Sequence, residues 1–188
     1  TWHWFRTLDP ERSWEAPDPT RFTLTLGADG RALVRADCNR GAGSYALQDG
    51  RLELEAIATT KMACPTANGL DARFLAQLDA VRLVVVSAGM LRADLLADGG
   101  TMFFVAEPDA KFGAYRCEGD RRAWAVYTEA RARVVTGPDT HDLPLAVSAS
   151  GARYAQGDVV WWVKGDEAFL EKGGVRTLSG CTRTPPAA

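Results

Sequence analysis

Ser148-Ala149-Ser150-Gly151-Ala152-Arg153-Tyr154-Ala155-Gln156-Gly157-Asp158-Val159-Val160-Trp161-Trp162-Val163-Lys164-Gly165 reads as a strand end, a tight turn, a second strand and a second turn. Ser150-Gly151 and Gly157-Asp158 carry turn chemistry, because Gly accepts a positive φ and Ser or Asp can bond its own backbone. Residues 159–163 are β-branched and aromatic, the composition of a strand. The turns display a hydroxyl (Ser150), two cations (Arg153 and Lys164) and three aromatic rings (Tyr154, Trp161 and Trp162). This set has hydrogen-bond donors and bulk but no general base. It describes a surface that holds a partner, not one that reacts with it.

The same pattern extends outward from that stretch. Short strands are expected at 114–118, 123–128, 130–136, 143–148, 168–171 and 174–178, with turn residues between them. Many short strands at this spacing predict a small antiparallel β-barrel or sandwich. The tail, 182–188, contains Pro185-Pro186 and is expected to fray.

The first half is different. Residues 1–20 hold Trp2, Trp4, Phe5 and Trp14 among Pro10, Pro17 and Pro19. Three prolines exclude a long helix, so an irregular aromatic arm is expected. Phe22, Leu24 and Leu26 alternate with Thr23 and Thr25, the pattern of a half-buried strand. Gly27-Ala28-Asp29-Gly30 is a hairpin turn, and 31–36 is its returning strand. Residues 37–45 form a Gly-rich loop, which lacks the strand and helix context of a phosphate loop. Residues 51–57 alternate again. Leu70, Phe74, Leu75 and Leu78 then give the apolar stripe of one amphipathic helix over 70–80. Asn68 is its expected N-cap, and Asp71 favours its first turn. Strands follow at 81–86, 91–96 and 101–105.

The fold is therefore mainly β. An N-terminal α+β domain with one helix (1–106) is followed by a polar linker (107–111) and the small antiparallel β-barrel or sandwich domain (112–188).

Hydrophobic residues make up 46% and charged residues 24% of the 188, the balance of an ordered globular chain. A net charge of −2 gives nucleic-acid binding no electrostatic footprint. No apolar run reaches the ~20 residues of a transmembrane helix. Thr1 opens the sequence without an apolar signal segment, which suits either a trimmed chain or a mature exported protein.

The four cysteines, Cys38, Cys64, Cys117 and Cys181, form no close ligand pair, and only His3 and His141 could join them. No metal or other cofactor is expected. Two disulfides are the better reading, with three connectivities open. Pairing within each half, Cys38 with Cys64 and Cys117 with Cys181, is one of them. Disulfides place the chain in an oxidising compartment, the periplasm or the cell surface.

Catalysis finds no constellation. Ser150 lies in Ala-Ser-Gly, not in the G-x-S-x-G of a nucleophile elbow. His141 lies in the polar run Asp139-Thr140-His141-Asp142, where a solvated loop histidine is expected. The carboxylates are scattered. On a strand, one of Trp161 and Trp162 points in and the other out. Lys164 gains meaning only if the fold brings it beside the Ser150 turn.

The second half resembles the family of membrane-bound lysozyme inhibitors of c-type lysozyme, MliC or PliC. The likeness covers about 112–182. It rests on Tyr115-Arg116-Cys117-Glu118, Val126-Tyr127, Ser150-Gly151-Ala152-Arg153-Tyr154, Trp162-Val163-Lys164-Gly165-Asp166-Glu167-Ala168 and Cys181. The resemblance implies an antiparallel barrel, a Cys117–Cys181 bridge, and a non-enzymatic protein whose partner is c-type lysozyme. It also carries lysozyme-contact roles to Ser150, Gly151, Tyr154 and Lys164. Arg153 joins them on charge alone. Such a lysozyme is a glycosidase with two carboxyl groups in a cleft, which a loop bearing donors and positive charge would enter.

The first half is similar to the META domain found in HslJ-type proteins, over about 2–105. The carriers are Trp4, Cys38-Asn39-Arg40, Gly43-Ser44-Tyr45, Thr59-Thr60-Lys61-Met62-Ala63-Cys64-Pro65 and Phe74-Leu75. Asp37 stands where similar proteins have a small residue. This likeness implies a fold and no chemistry. Together the resemblances imply a lysozyme inhibitor of the periplasm or outer membrane, with a lipid anchor conceivable upstream of Thr1. The other reading is an envelope stress module that binds a glycan or another envelope partner, the glycan lying across Trp161 or Trp162.

Overall fold

The computed structural model describes residues 1–9, 12–65, 68–87, 89–107, 110–137 and 139–184. The chain divides into two compact units, Thr1–Pro108 and Asp109–Ala188. Lys111, expected in the linker, opens the first strand of the second unit. Residues 108 and 109 lie outside the described residues.

The first unit contains β1 (Trp2–Leu8), β2 (Ser13–Glu15), β3 (Phe22–Leu26), β4 (Arg31–Ala36), β5 (Asn39–Gln48), β6 (Arg51–Thr59), α1 (Leu70–Asp79), β7 (Val81–Ser87), β8 (Met90–Leu95) and β9 (Thr101–Val105). The strands run in the order β1-β3-β4-β5-β6-β7-β8-β9, and β9 pairs back with β1. β2 is added on the side of β1. The unit has the one expected helix, but its strands close into an eight-stranded barrel, so α+β describes it only in part. Periodicity reports which face of a strand is buried, not which edges meet, and closure is a matter of edges.

Helix α1 drives Phe74 into this core. The Phe74 ring lies 5.2 Å from Trp4 and 5.6 Å from Phe22. Its N-cap position is Gly69 at φ 79°, with no side-chain cap, so the expected Asn68 cap is not made. Asp71 instead accepts from the Asn39 side chain.

Two further expectations for this unit are corrected. The aromatic arm is mostly regular: β1 pairs with β2, β3 and β9. Pro17 and Pro19 fall beyond both β1 and β2, where they do not interrupt the ladder. The Gly-rich stretch is also strand, as β5 begins at Asn39. Its glycines serve close packing. A Cβ on Gly43 would lie 2.4 Å from the Glu55 carbonyl oxygen, and one on Gly41 would lie 2.6 Å from the Thr59 methyl.

The second unit is a closed eight-stranded barrel: β10 (Lys111–Arg116), β11 (Arg122–Tyr127), β12 (Arg131–Thr136), β13 (Asp139–Ala146), β14 (Ala152–Gln156), β15 (Val159–Lys164), β16 (Glu167–Lys172) and β17 (Val175–Thr184). Each strand pairs antiparallel with the next, and β17 returns to β10. Trp161 and Tyr115 fill the interior beside Ala123, Ala125 and Ala132. Small side chains thus offset large ones within a narrow barrel.

The tail expectation is corrected in part: residues 182–184 pair with 114–116 and close the barrel. Residues 185–188 lie outside the described residues. His141 is likewise no loop residue. It sits on β13 opposite Val134 and is half-buried, and burial lowers its pKa. Polar composition hid this strand, because an inward position near a barrel mouth tolerates a polar side chain.

Both disulfides join cysteines of the same unit, Cys38 to Cys64 and Cys117 to Cys181. They close spans of 26 and 64 residues, which restricts each unfolded half.

Candidate functional site

The β13–β14 loop (147–151) and the β15–β16 turn (165–166) lie at one end of the barrel. The ladder sets Ala152 opposite Val163 and Lys164 opposite Glu167. Gly151 therefore falls beside the end of β15. It holds φ +71°, and a Cβ there would lie 2.5 Å from the Val163 carbonyl oxygen and 3.1 Å from the Lys164 Cβ. The absence of a side chain at 151 is what lets the Ser150 turn close onto Lys164.

Ser150 is held through its backbone. Its carbonyl accepts from the Ser148 hydroxyl at 2.7 Å and from the Trp162 indole N–H at 3.1 Å. Its own side chain is exposed, and its Oγ has no hydrogen bond among the described residues. Lys164 is exposed and makes no ion pair among them. Thus a neutral donor and a cationic donor lie at the same end of the barrel with their capacity unspent among the described residues.

Alternation along β14 and β15 sorts the other residues. Trp161 and Tyr154 oppose each other facing inward, while Trp162 and Arg153 oppose each other facing outward. Arg153 is half-buried on that outer face. Tyr154 is only 8% exposed and points into the barrel. Its ring lies 5.6 Å from that of Tyr127. The Tyr127 hydroxyl accepts from the Trp161 indole at 2.9 Å and pairs with the Tyr115 hydroxyl at 2.8 Å. Burial raises the pKa of all three tyrosines, so they stay neutral donors. Trp161 is fully buried, so of the two tryptophans it is Trp162, partly exposed on the outer face, that a glycan could reach.

Sequence reasoning missed two features of this end of the barrel. Val147 is 97% exposed, an apolar side chain on the same loop as Ser150. Its signal was present as a lone branched residue in a run of Ala and Ser, but it reads equally well as a strand end. The Trp162 bond to Ser150 left no signal, because it spans two strands.

A cavity of about 430 Å³ opens at the other end of the barrel, lined in part by Arg121, Asp139, His141 and Lys172. Asp139 is the one carboxylate among the described residues of its lining, so no pair of carboxylates faces it there. Among the described residues no group of His, Cys, Asp and Glu is placed to hold a metal, and no helix is long and apolar enough to cross a membrane.

A closed barrel with a donor-bearing turn exposed at one end has the form of a binding module. Known proteins say which one. Residues 7–109 match the META domain family, and residues 115–179 match the family described as membrane-bound lysozyme-inhibitor of c-type lysozyme. A membrane-bound lysozyme inhibitor of C-type lysozyme from Pseudomonas aeruginosa is 35% identical over 115 residues, 53% of this chain and 87% of that protein. The chain belongs to both families: it is a META domain fused to an MliC-type domain.

Two solved structures also align. The NMR structure of a Burkholderia xenovorans protein is 28% identical, covers 55% of this chain and 79% of its own, and has a TM-score of 0.48. The crystal structure of Pseudomonas aeruginosa MliC in complex with hen egg white lysozyme is 31% identical, covers 40% of this chain and 83% of its own, and has a TM-score of 0.32.

Proposed function

We propose that this protein inhibits c-type lysozyme in the bacterial cell envelope, through the MliC-type barrel. Membership in an inhibitor family makes it a binding protein and not an enzyme. The two disulfides suit an exported protein of the periplasm or outer membrane.

The observation that carries the mode of action is the contact of Gly151 with Lys164, which joins two exposed donors at one end of the barrel. A glycosidase cleft of this class holds two carboxyl groups. The Ser150 hydroxyl donates to one carboxyl group, and the Lys164 ammonium supplies charge and further donors to the cleft. Exposed Val147 lies against the cleft wall. Arg153 adds positive charge at the edge, and Tyr154 holds the loop from beneath. Both site donors are solvated in the free protein, so their desolvation is offset only by well-placed acceptors. Charge-assisted contacts buried in an interface centre reach about 2 kcal/mol or more on truncation.

The test is a lysis assay with c-type lysozyme and the double variant Ser150→Ala, Lys164→Ala. The variant is expected to unfold at the parent temperature and to lose inhibition. Undiminished inhibition by a folded double variant overturns this assignment of the site.

A further inference from the structure

We infer that Trp162, Phe169 and Arg176 form a positioning stack that holds the Ser150-Gly151 peptide in its binding orientation. Trp162 and Phe169 are cross-strand partners on β15 and β16. Their rings are stacked, with centroids 5.3 Å apart and planes at 21°. The Arg176 guanidinium, from β17, covers the Phe169 ring at 4.2 Å. The series runs from guanidinium to phenyl to indole, and the indole N–H ends on the Ser150 carbonyl at 3.1 Å. Three strands thereby act on one carbonyl of a loop that none of them contains.

The geometry gives the stack a specific task. An indole has one donor and no acceptor, so ring orientation decides whether its N–H meets the carbonyl. Stacking and the cation over Phe169 both restrict that orientation. The Trp162 ring also passes 3.1 Å from the place a Gly151 Cβ would occupy. The indole therefore touches both sides of the 150–151 peptide, while the Ser148 hydroxyl shares its carbonyl. A rotated peptide would lose both donors and re-aim the Ser150 side chain. Holding the loop before the partner arrives removes ordering cost from binding. The consequence for inhibition rests on the lysozyme reading; the order of the loop does not.

The test uses the full chain and the variants Trp162→Phe, Phe169→Leu and Arg176→Gln. Trp162→Phe keeps an aromatic ring beside Phe169 and removes the indole N–H together with the second ring. The heteronuclear NOE of the Ser150 and Gly151 amides is measured without lysozyme, alongside thermal unfolding and inhibition. Trp162→Phe is expected to lower those NOE values and to weaken inhibition about 3- to 10-fold, the range of one lost hydrogen bond, with an unfolding temperature close to the parent's. Phe169→Leu and Arg176→Gln are expected to weaken inhibition in the parent and to add nothing in the Trp162→Phe background. A loop equally ordered in Trp162→Phe overturns the inference, and so does full additivity, which would make Phe169 and Arg176 direct contacts. A loop that loosens as expected in a protein that never inhibits lysozyme upholds the stack and removes the lysozyme reading alone.

Discussion

The indole N–H of Trp161 donates to the hydroxyl of Tyr127 at 2.9 Å, between strands β15 and β11. Trp161 is fully buried, so this is the bond that satisfies its one donor inside the barrel. Tyr127→Phe is therefore expected to leave a buried N–H without an acceptor and to cost about 1–3 kcal/mol. Urea unfolding followed through the second unit measures it. Parent-like stability would mean that a water takes the place of the hydroxyl.

The same tyrosines make the barrel sensitive to alkali. Burial raises the pKa of Tyr115, Tyr127 and Tyr154 above the unfolded value of about 10. Their contribution is fully present below that unfolded pKa and is lost as pH rises toward the folded values. The unfolding temperature is expected to fall from about pH 10 upward. The fall should be shallower in Tyr127→Phe, which removes one titrating group; an identical slope would contradict this origin.

Gly151→Ala sets an αL backbone against a side chain and drives a Cβ to within 2.5 Å of the Val163 carbonyl oxygen. The αL conformation alone costs about 1–2 kcal/mol for a non-glycine residue. The loop is expected to move, with inhibition lost by more than the change in stability accounts for. Gly165→Ala is the control. It also sits at positive φ, +60°, but a Cβ there meets nothing within 4 Å. Equal loss of inhibition in both variants would remove the close approach as the cause.

Asn39 is the polar hub of the META unit. The two N–H groups of its amide are shared among the Met62 carbonyl (3.1 Å), the Cys64 sulfur (3.2 Å) and Asp71 Oδ2 (3.1 Å). Its carbonyl accepts from the Met62 N–H (2.8 Å) and the Thr60 hydroxyl (3.0 Å). One side chain thus joins β5, the bridged segment around Cys64 and the first turn of α1. Asn39→Ala is expected to destabilise the first unit by about 2–3 kcal/mol, read by thermal unfolding, with lysozyme inhibition at native temperature unchanged. A drop in inhibition without unfolding would give the META unit a part in binding.

Legibility in the sequence followed the range of each interaction. Turns at Ser150-Gly151 and Gly157-Asp158, the in–out split of Trp161 and Trp162, and helix α1 were readable because their signals lie within a few residues. The β5 strand was not, since Gly41 and Gly43 resemble a loop until the β6 backbone is set against them. His141 was misread because hydrophobic pattern weighs polarity, while its strand is decided by pairing with β12. Asn39 stood in a family motif, yet its role needed partners more than 20 residues away.

Sequence alone thus determined helix α1, most of the strands and turns, the donors at Ser150 and Lys164 and, through the family motifs, the class of protein. Those features are local: backbone preference, periodicity and residue chemistry. Only the tertiary structure decided that the first half also closes into a barrel, that Gly151 sits against Lys164, and that Trp162 holds the Ser150 carbonyl. Each of these depends on strand register, which places residues 12 or 13 positions apart in chemical contact and which no short window of sequence contains.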